Sequence, residues 1–373
     1  MESPRSPNPK RQTLTLIMTE RCNLRCTYCY ETKSESPGIS FDTAKYAIMQ
    51  AFQNDEFDEL EIDFFGGEPF LEFQTLRAIC EWLWGEPRPK PYICFVVTNG
   101  TLVHGDIRDW AFANKDKVIL GLSLDGTPEM HNLNRGKSYR RIDVDFFRVT
   151  WPSQAVKMTV SPDTLPALAE GIIYIHKLGF KVGCTYAAGA AWQASAPEVF
   201  ATELKKVADY YIGNPDIEPC NMVTMAIDHI YDTSHDNNHC GTGYGILCVD
   251  KDGINYPCQT FMPMSTGKSY EEMQPAYQLL RDGRNNHNGK CKKCALLPMC
   301  QTCYGINYAQ FGNPFIRSEQ NCEFSKVRAM AAAYMYAHMI LHRDRSYSFL
   351  RTKTDSDIFY ILRGIAAVQE GFA

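Results

Sequence analysis

Leu14-Thr15-Leu16-Ile17-Met18-Thr19-Glu20-Arg21-Cys22-Asn23-Leu24-Arg25-Cys26-Thr27-Tyr28-Cys29-Tyr30 runs from an apolar segment straight into three closely spaced cysteines. Leu14 to Met18 is expected to be a strand, and the cysteines sit in the loop it feeds. Their spacing is C-x3-C-x2-C. Three thiolates this close can hold three corners of a cubane iron–sulfur cluster and leave the fourth iron without a protein ligand. Such an iron can bind a small molecule, whereas a cluster with four cysteines mostly carries electrons. Structural zinc would require a fourth ligand, and the nearest candidate, His104, is distant in sequence.

Outward from this loop, strand-like runs alternate with helical patterns. Strands are expected at 60–65, 93–97, 118–122, 156–160 and 181–186, and helices at 41–52, 75–84, 165–178 and 199–211. That alternation predicts parallel βα units. Six of them make an α/β fold, a partial (β/α)6 TIM-type barrel over residues 13–225, behind an extended or disordered stretch at 1–12. In barrels the chemistry sits at the C-terminal ends of the strands, which is where the cysteine loop falls. The pattern breaks near residue 225, after which 226–345 is rich in Gly, Pro and Cys and reads as a small metal-stapled domain. Its polar segment, Asp232 to His239, holds His235 and His239, expected to be solvated. Helices close the chain, with a tail at 346–373. Val327, Met330, Tyr334, Ala337 and Leu341 are expected on one apolar face, and Ile358, Ile361, Leu362, Ile365 and Val368 on another.

The chain has 373 residues, a net charge of −5 and 15 cysteines. No basic block is present, which argues against nucleic acid as the main partner. Residues 1–10 lack the apolar segment of a secretory signal, and no stretch is apolar enough to span a bilayer. A cytoplasmic location is expected, where grouped cysteines point to metal rather than disulfides. Cys80, Cys94, Cys184 and Cys220 lie outside the groups and are expected to be small buried apolar residues.

The triplet resembles the signature of the radical S-adenosylmethionine enzymes, with Tyr28 as the aromatic residue before the third cysteine. Further segments fit in order: Gly66-Gly67-Glu68 after the second strand, Asn99 after the third, Ser123 and Asp125 after the fourth, then Arg135. The resemblance implies that Cys22, Cys26 and Cys29 hold a 4Fe–4S cluster whose open iron is chelated by S-adenosyl-L-methionine. It further implies that Tyr28, Gly66, Gly67, Glu68, Asn99, Ser123, Asp125 and Arg135 surround that cofactor. Glycines let backbone approach closely, a hydroxyl suits a ribose, and a guanidinium suits a carboxylate. Asp125-Gly126 also reads as a plain turn.

Cys240, Gly253, Cys258, Cys291, Cys294, Cys300, Cys303 and Cys322 resemble the SPASM pattern, which implies two auxiliary 4Fe–4S clusters. Two residues separate Cys300 from Cys303, one fewer than that pattern has. The motif supplies seven thiolates, and Cys248 is the candidate eighth. A hairpin through Asp252-Gly253 could put Cys248 and Cys258 on the same face or on opposite faces, depending on its loop. Two structural zinc sites are the alternative.

The likeness spans about residues 13–325 and implies a peptide maturase. Hydrogen abstraction by a 5′-deoxyadenosyl radical would lead to a thioether or carbon–carbon cross-link or a related change. Anaerobic sulfatase maturation is the second reading. In that branch an aspartate after the second SPASM cysteine serves as base, whereas this chain has Gln259, which does not titrate. A non-catalytic electron carrier is the third. The expected partners are a precursor peptide and a flavodoxin- or ferredoxin-type reductant. The first cluster is reached by residue 22, so no N-terminal leader-binding domain is expected, and a separate leader-binding protein, or the C-terminal helices, would take that role.

Overall fold

From Leu14 on, every second residue of the first strand is apolar and faces helices, and this alternation organises the sheet. The computed structural model describes residues 10–231, 240–282, 289–342 and 347–372. Residues 1–9 and the polar segment with His235 and His239 lie outside the described residues.

The first half runs β1 (Arg11–Thr19), α1 (Phe41–Phe52), β2 (Glu59–Gly66), α2 (Phe73–Gly85), β3 (Tyr92–Thr98), α3 (Gly105–Ala113), β4 (Val118–Leu122), α4 (Pro128–Asn134) and α5 (Val144–Thr150). It continues with β5 (Val156–Val160), α6 (Leu168–Lys177), β6 (Val182–Tyr186) and α7 (Ala196–Gly213). Then come β7 (Ile246–Val249), β8 (Asn255–Tyr256), α8 (Pro263–Thr266), α9 (Tyr270–Asp282), α10 (Gly289–Lys292), α11 (Tyr304–Phe311), α12 (Glu319–Leu341) and α13 (Asp355–Phe372). All six strands expected in the first half are present. The helices α3, α4 and α5 were not anticipated.

Leu14, Leu16 and Met18 of β1, with Leu60, Ile62 and Phe64 of β2, pack on Ile48 of α1 and Leu76, Ile79 and Leu83 of α2. Each is at most 1% exposed. Burying one such side chain contributes about 1.5–3 kcal/mol. Cys80, Cys94, Cys184 and Cys220 are buried in the same core, as expected.

The sheet order departs from a simple six-strand arc. It is β4-β3-β2-β1-β7-β8, while β5 and β6 pair only with each other, in parallel. A single bridge, Ser123 to Lys157, joins the two sheets. β1 therefore has β7 on its free edge, in parallel register from Thr13↔Ile246 to Leu16↔Val249. The cysteine-rich segment donates this strand, so a boundary at residue 225 divides the sequence but not the sheet.

The expected face of α12 needs correction. Val327 is buried, but Met330 is 43% and Leu341 76% exposed. The helix lies against α7, α13 and the turn at Ile227–Tyr231. Small residues at Ala331, Ala332 and Ala333 let neighbours close on several sides, so no single stripe describes it. On α13, Ile361, Ile365 and Val368 are buried as expected, while Leu362 is 47% exposed. Gly364 brings α13 against that turn: a Cβ here would lie 2.1 Å from the Ile227 carbonyl oxygen. Gly→Ala normally stabilises a helix. Here Gly364→Ala is expected to destabilise by about 1–3 kcal/mol through overpacking, read as a lower melting temperature.

Candidate functional site

The cysteine loop leaves β1 and lies on the end of β2, and two glycines make that contact possible. Gly66 has φ +120°, and a Cβ on it would sit 2.3 Å from the Thr19 carbonyl oxygen. A Cβ on Gly67 would sit 2.0 Å from that of Arg21. Without side chains, the Gly67 N–H donates to Thr19 (2.8 Å) and the Glu68 N–H to Arg21 (2.9 Å). Leu24, buried, anchors the loop, and Asn23 bonds Thr101 and Asn99 beyond β3. The glycines thus serve loop-to-strand docking as well as access to the cavity.

A cavity of about 730 Å³ opens over these strand ends. Cys22, Cys26, Cys29, Tyr28, Gly66, Gly67, Asn99, Ser123 and Arg135 all border it. Glu68 and Asp125 are not among its lining residues. Glu68 is fully buried and accepts from Thr98 Oγ1 (2.8 Å), the Asn99 N–H (2.8 Å) and the Phe70 N–H (3.3 Å), tying β2 to β3. Burial still pushes its carboxyl up to about 7.

Asp125 is a hub rather than a plain turn. It accepts from Arg135 Nε (2.8 Å) and Nη2 (3.1 Å), the Tyr28 hydroxyl (2.7 Å), the Thr159 N–H (2.9 Å) and Asn134 Nδ2 (3.2 Å). The pair Asp125–Arg135 is almost wholly buried. It fixes the guanidinium over the Tyr28 ring, 5.5 Å from its centroid. Burial raises the Cys26 thiol to about 11, with Arg135 pulling the other way. His131, buried behind Asp125, is driven down to about 4 by burial and is neutral.

The other wall of this cavity comes from the rest of the chain. It holds Cys240 and Cys303 from the later cysteine group, with Thr260. Tyr186 ends β6 and Trp192 follows it, and Gln301, Asn321 and Arg328 come from the C-terminal half. Within the triplet's own loop, Lys33 pairs with Glu31 at 2.7 Å, and both reach the cavity. The sequence signal for Glu31 and Lys33 was only their closeness to Cys29.

The later cysteines divide into two sets. Cys291, Cys294, Cys300 and Cys322 border a second cavity of about 450 Å³, with Arg317 beside Cys291 (3.6 Å). Thr260 Oγ1 lies 3.1 Å from Cys258 Sγ and 3.6 Å from Cys303 Sγ. The short Cys300–Cys303 segment therefore crosses from one cavity to the other. The open question about the hairpin resolves. Cys248 pairs with Tyr256 and Val249 with Asn255, around a turn held by Asp250 Oδ1 accepting from the Asp252 and Ile254 N–H groups. Cys258 lies two residues beyond Tyr256, past the end of the ladder, and comes close enough to Cys248 for their charges to interact. They pack in one buried cluster. Burial raises both thiols, that of Cys258 to about 12. Among the described residues, no three His, Cys, Asp or Glu converge as a single ion would require; six of the later cysteines border the two cavities instead, while Cys248 and Cys258 are buried beside the first.

Asp63, on the inner face of β2, has an unpartnered, buried Oδ1. Burial pushes its carboxyl up to about 7, with Lys157 pulling down. A carboxyl raised in the folded state costs stability as pH rises from its unfolded value to its folded one. The advantage of Asp63→Asn in urea unfolding is therefore expected to grow by about 1.4 kcal/mol per pH unit up to pH ~7 and then level off.

Residues 16–144 match the Radical SAM superfamily model. The chain carries a radical SAM domain. Its match to an uncharacterized protein of Methanocaldococcus jannaschii is 28% identical over 177 residues, covering 45% of this chain but only 59% of that protein. The cysteine-type anaerobic sulfatase-maturating enzyme of Clostridium perfringens is 25% identical over 320 residues, covering 75% of this chain and 85% of the enzyme. Two solved structures share the fold. One, anSMEcpe with bound AdoMet and a Kp18Cys peptide, aligns with TM-score 0.68 at 18% identity, over 90% of this chain and 99% of its own. The other, Streptococcus suis SuiB bound to precursor peptide SuiA, aligns with TM-score 0.60 at 16% identity, over 84% and 76%. The radical SAM domain covers β1 to β4 and includes every residue carried over to S-adenosylmethionine. No helix among the described residues is long and apolar enough to cross a membrane.

Proposed function

We propose that the chain is a peptide maturase that abstracts hydrogen from a residue of a ribosomally made peptide and so forms a cross-link or related modification. The observation that carries this is the shared cavity. One wall holds Cys22, Cys26, Cys29, Gly66, Gly67, Asn99, Ser123 and Arg135; the other holds Cys240 and Cys303. The donor set fits an iron–sulfur cluster at the triplet. When bound there, S-adenosylmethionine supplies a 5′-deoxyadenosyl radical. Arg135, oriented by Asp125, is placed to take a carboxylate, Ser123 a ribose hydroxyl, and the strand-end backbone the remaining polar groups.

Two auxiliary clusters follow from the same reading. Cys291, Cys294, Cys300 and Cys322 would hold one. Cys240, Cys258 and Cys303 would hold the other, with Cys248, close to Cys258, as its fourth ligand. The buried thiols must lose their protons to bind iron, so metal binding carries part of the folding energy. The likeness to SuiB, solved with its precursor peptide, favours a peptide substrate. A flavodoxin- or ferredoxin-type protein in the cytoplasm would supply electrons, and a separate protein would bind the leader.

Sulfatase maturation remains the second reading because of the 25% identity over 320 residues. Against it, Gln259 stands in place of the aspartate and is absent from the cavity lining, whose one carboxylate among the described residues, Glu31, is paired with Lys33. Coexpression with a panel of candidate short precursor peptides, including any that a neighbouring gene encodes, followed by mass spectrometry, tests the proposal. The expected product has lost two hydrogens or changed a stereocentre. Conversion of a sulfatase peptide to formylglycine, with no change to the precursor panel, would support the second reading instead.

A further inference from the structure

Three cations border the main cavity among the described residues: Lys33, Arg135 and Arg328. Lys33 is paired with Glu31 and Arg135 with Asp125. Arg328, in α12, is 5% exposed and has no acidic partner among the described residues. Its contacts are all neutral oxygens: Asn221 O from Nη2 (2.8 Å), Met222 O from Nε (3.4 Å) and Gln301 Oε1 from Nη1 (3.4 Å). These three bonds leave one N–H on each terminal nitrogen, the pair that suits a carboxylate.

Burying a cation without an anion is unfavourable, and a neutral donor could hold two backbone carbonyls as well. The surroundings set the group apart from the cofactor wall. Arg135 acts on Cys26 and Tyr28, whereas Arg328 acts on Tyr186 and on the buried thiols Cys184 and Cys220. Tyr186 stands at the end of β6 with its hydroxyl donating to Asn321 Oδ1 (2.7 Å). Arg317 rather than Arg328 lies against the second cysteine set.

We infer that Arg328 is an anion-binding residue of the substrate wall, and that the peptide presents a carboxylate to it. That carboxylate is either an Asp or Glu side chain near the modified residue or a free C-terminus. The inference rests on the peptide reading above and narrows it.

The test captures peptides on anaerobically reconstituted, unreduced holoenzyme with S-adenosylmethionine. The probe is a pool of random N-acetylated octapeptides in two arms, with C-terminal acid or C-terminal amide. Retained peptides are sequenced by mass spectrometry. Enrichment of roughly tenfold in Asp and Glu in both arms identifies a side-chain carboxylate, and enrichment of the acid arm alone identifies a C-terminus. Arg328→Gln is expected to remove the enrichment and Arg328→Lys to retain part of it, with iron content and melting temperature reporting the fold of each. Peptides retained without preference for a carboxylate would overturn the inference and leave the peptide reading standing. So would an enrichment unchanged in Arg328→Gln. Capture of no peptide at all would overturn this inference, while the peptide reading stands or falls on the coexpression test above. Should Arg328→Gln fail to bind iron, the wild-type enrichment and Arg328→Lys still decide.

Discussion

Asp125→Ala is expected to destabilise the protein by about 3–5 kcal/mol and to abolish S-adenosylmethionine binding. The carboxylate is fully buried and answers five donors, among them two from Arg135. Its removal leaves a buried guanidinium without a counter-charge, the costly way to break such a pair. Tyr28, two residues from Cys26, also loses the acceptor of its hydroxyl. Replacing both partners is different, because no charge is then stranded. Asp125→Ala combined with Arg135→Met is expected to recover most of the lost stability but none of the cofactor binding. Denaturant unfolding and equilibrium binding of S-adenosylmethionine measure the two effects separately. A stable Asp125→Ala that binds the cofactor normally would remove Asp125 from the organising role given to it.

Cys300→Ala is expected to lower bound iron by about four per chain, from about twelve. The reasoning is geometric: Cys291, Cys294, Cys300 and Cys322 border one cavity, while Cys240 and Cys303 border another. Substitutions within a set should not add, because the first already removes the cluster. Cys300→Ala with Cys322→Ala should therefore lose no more than Cys300→Ala alone. Cys300→Ala with Cys258→Ala should lose about eight. Iron analysis after anaerobic reconstitution decides, and the reverse pattern would show that the cysteines are partitioned differently.

Much of the strand framework was legible because each strand is a short apolar run, and these positions also fix where the loops emerge. The triplet, Gly66-Gly67, Asn99 and Ser123 could be placed at strand ends on that basis, while Arg135 follows a helix beyond the fourth strand. Helices such as α3 were missed because Asp106, Arg108 and Asp109 leave only Trp110 and Ala111 buried on it. The pairing of β7 with β1 is a contact between residues far apart in sequence, and nothing local to Ile246-Leu247-Cys248-Val249 announces it. Glu68 and Asp125 were recognised by motif, but their direction depends on which donors surround them. Arg328 was invisible for a similar reason. It sits in an alanine-rich helix, and its significance lies in the absence of a nearby acid among the described residues.

The most direct test is anaerobic: the reconstituted chain is reduced with dithionite in the presence of S-adenosylmethionine, and 5′-deoxyadenosine is followed by mass spectrometry. The proposed assignment predicts steady formation of 5′-deoxyadenosine, abolished in Cys22→Ala, Cys26→Ala and Cys29→Ala. A chain loaded with about twelve irons that forms none would contradict it and leave an iron–sulfur electron carrier as the better description.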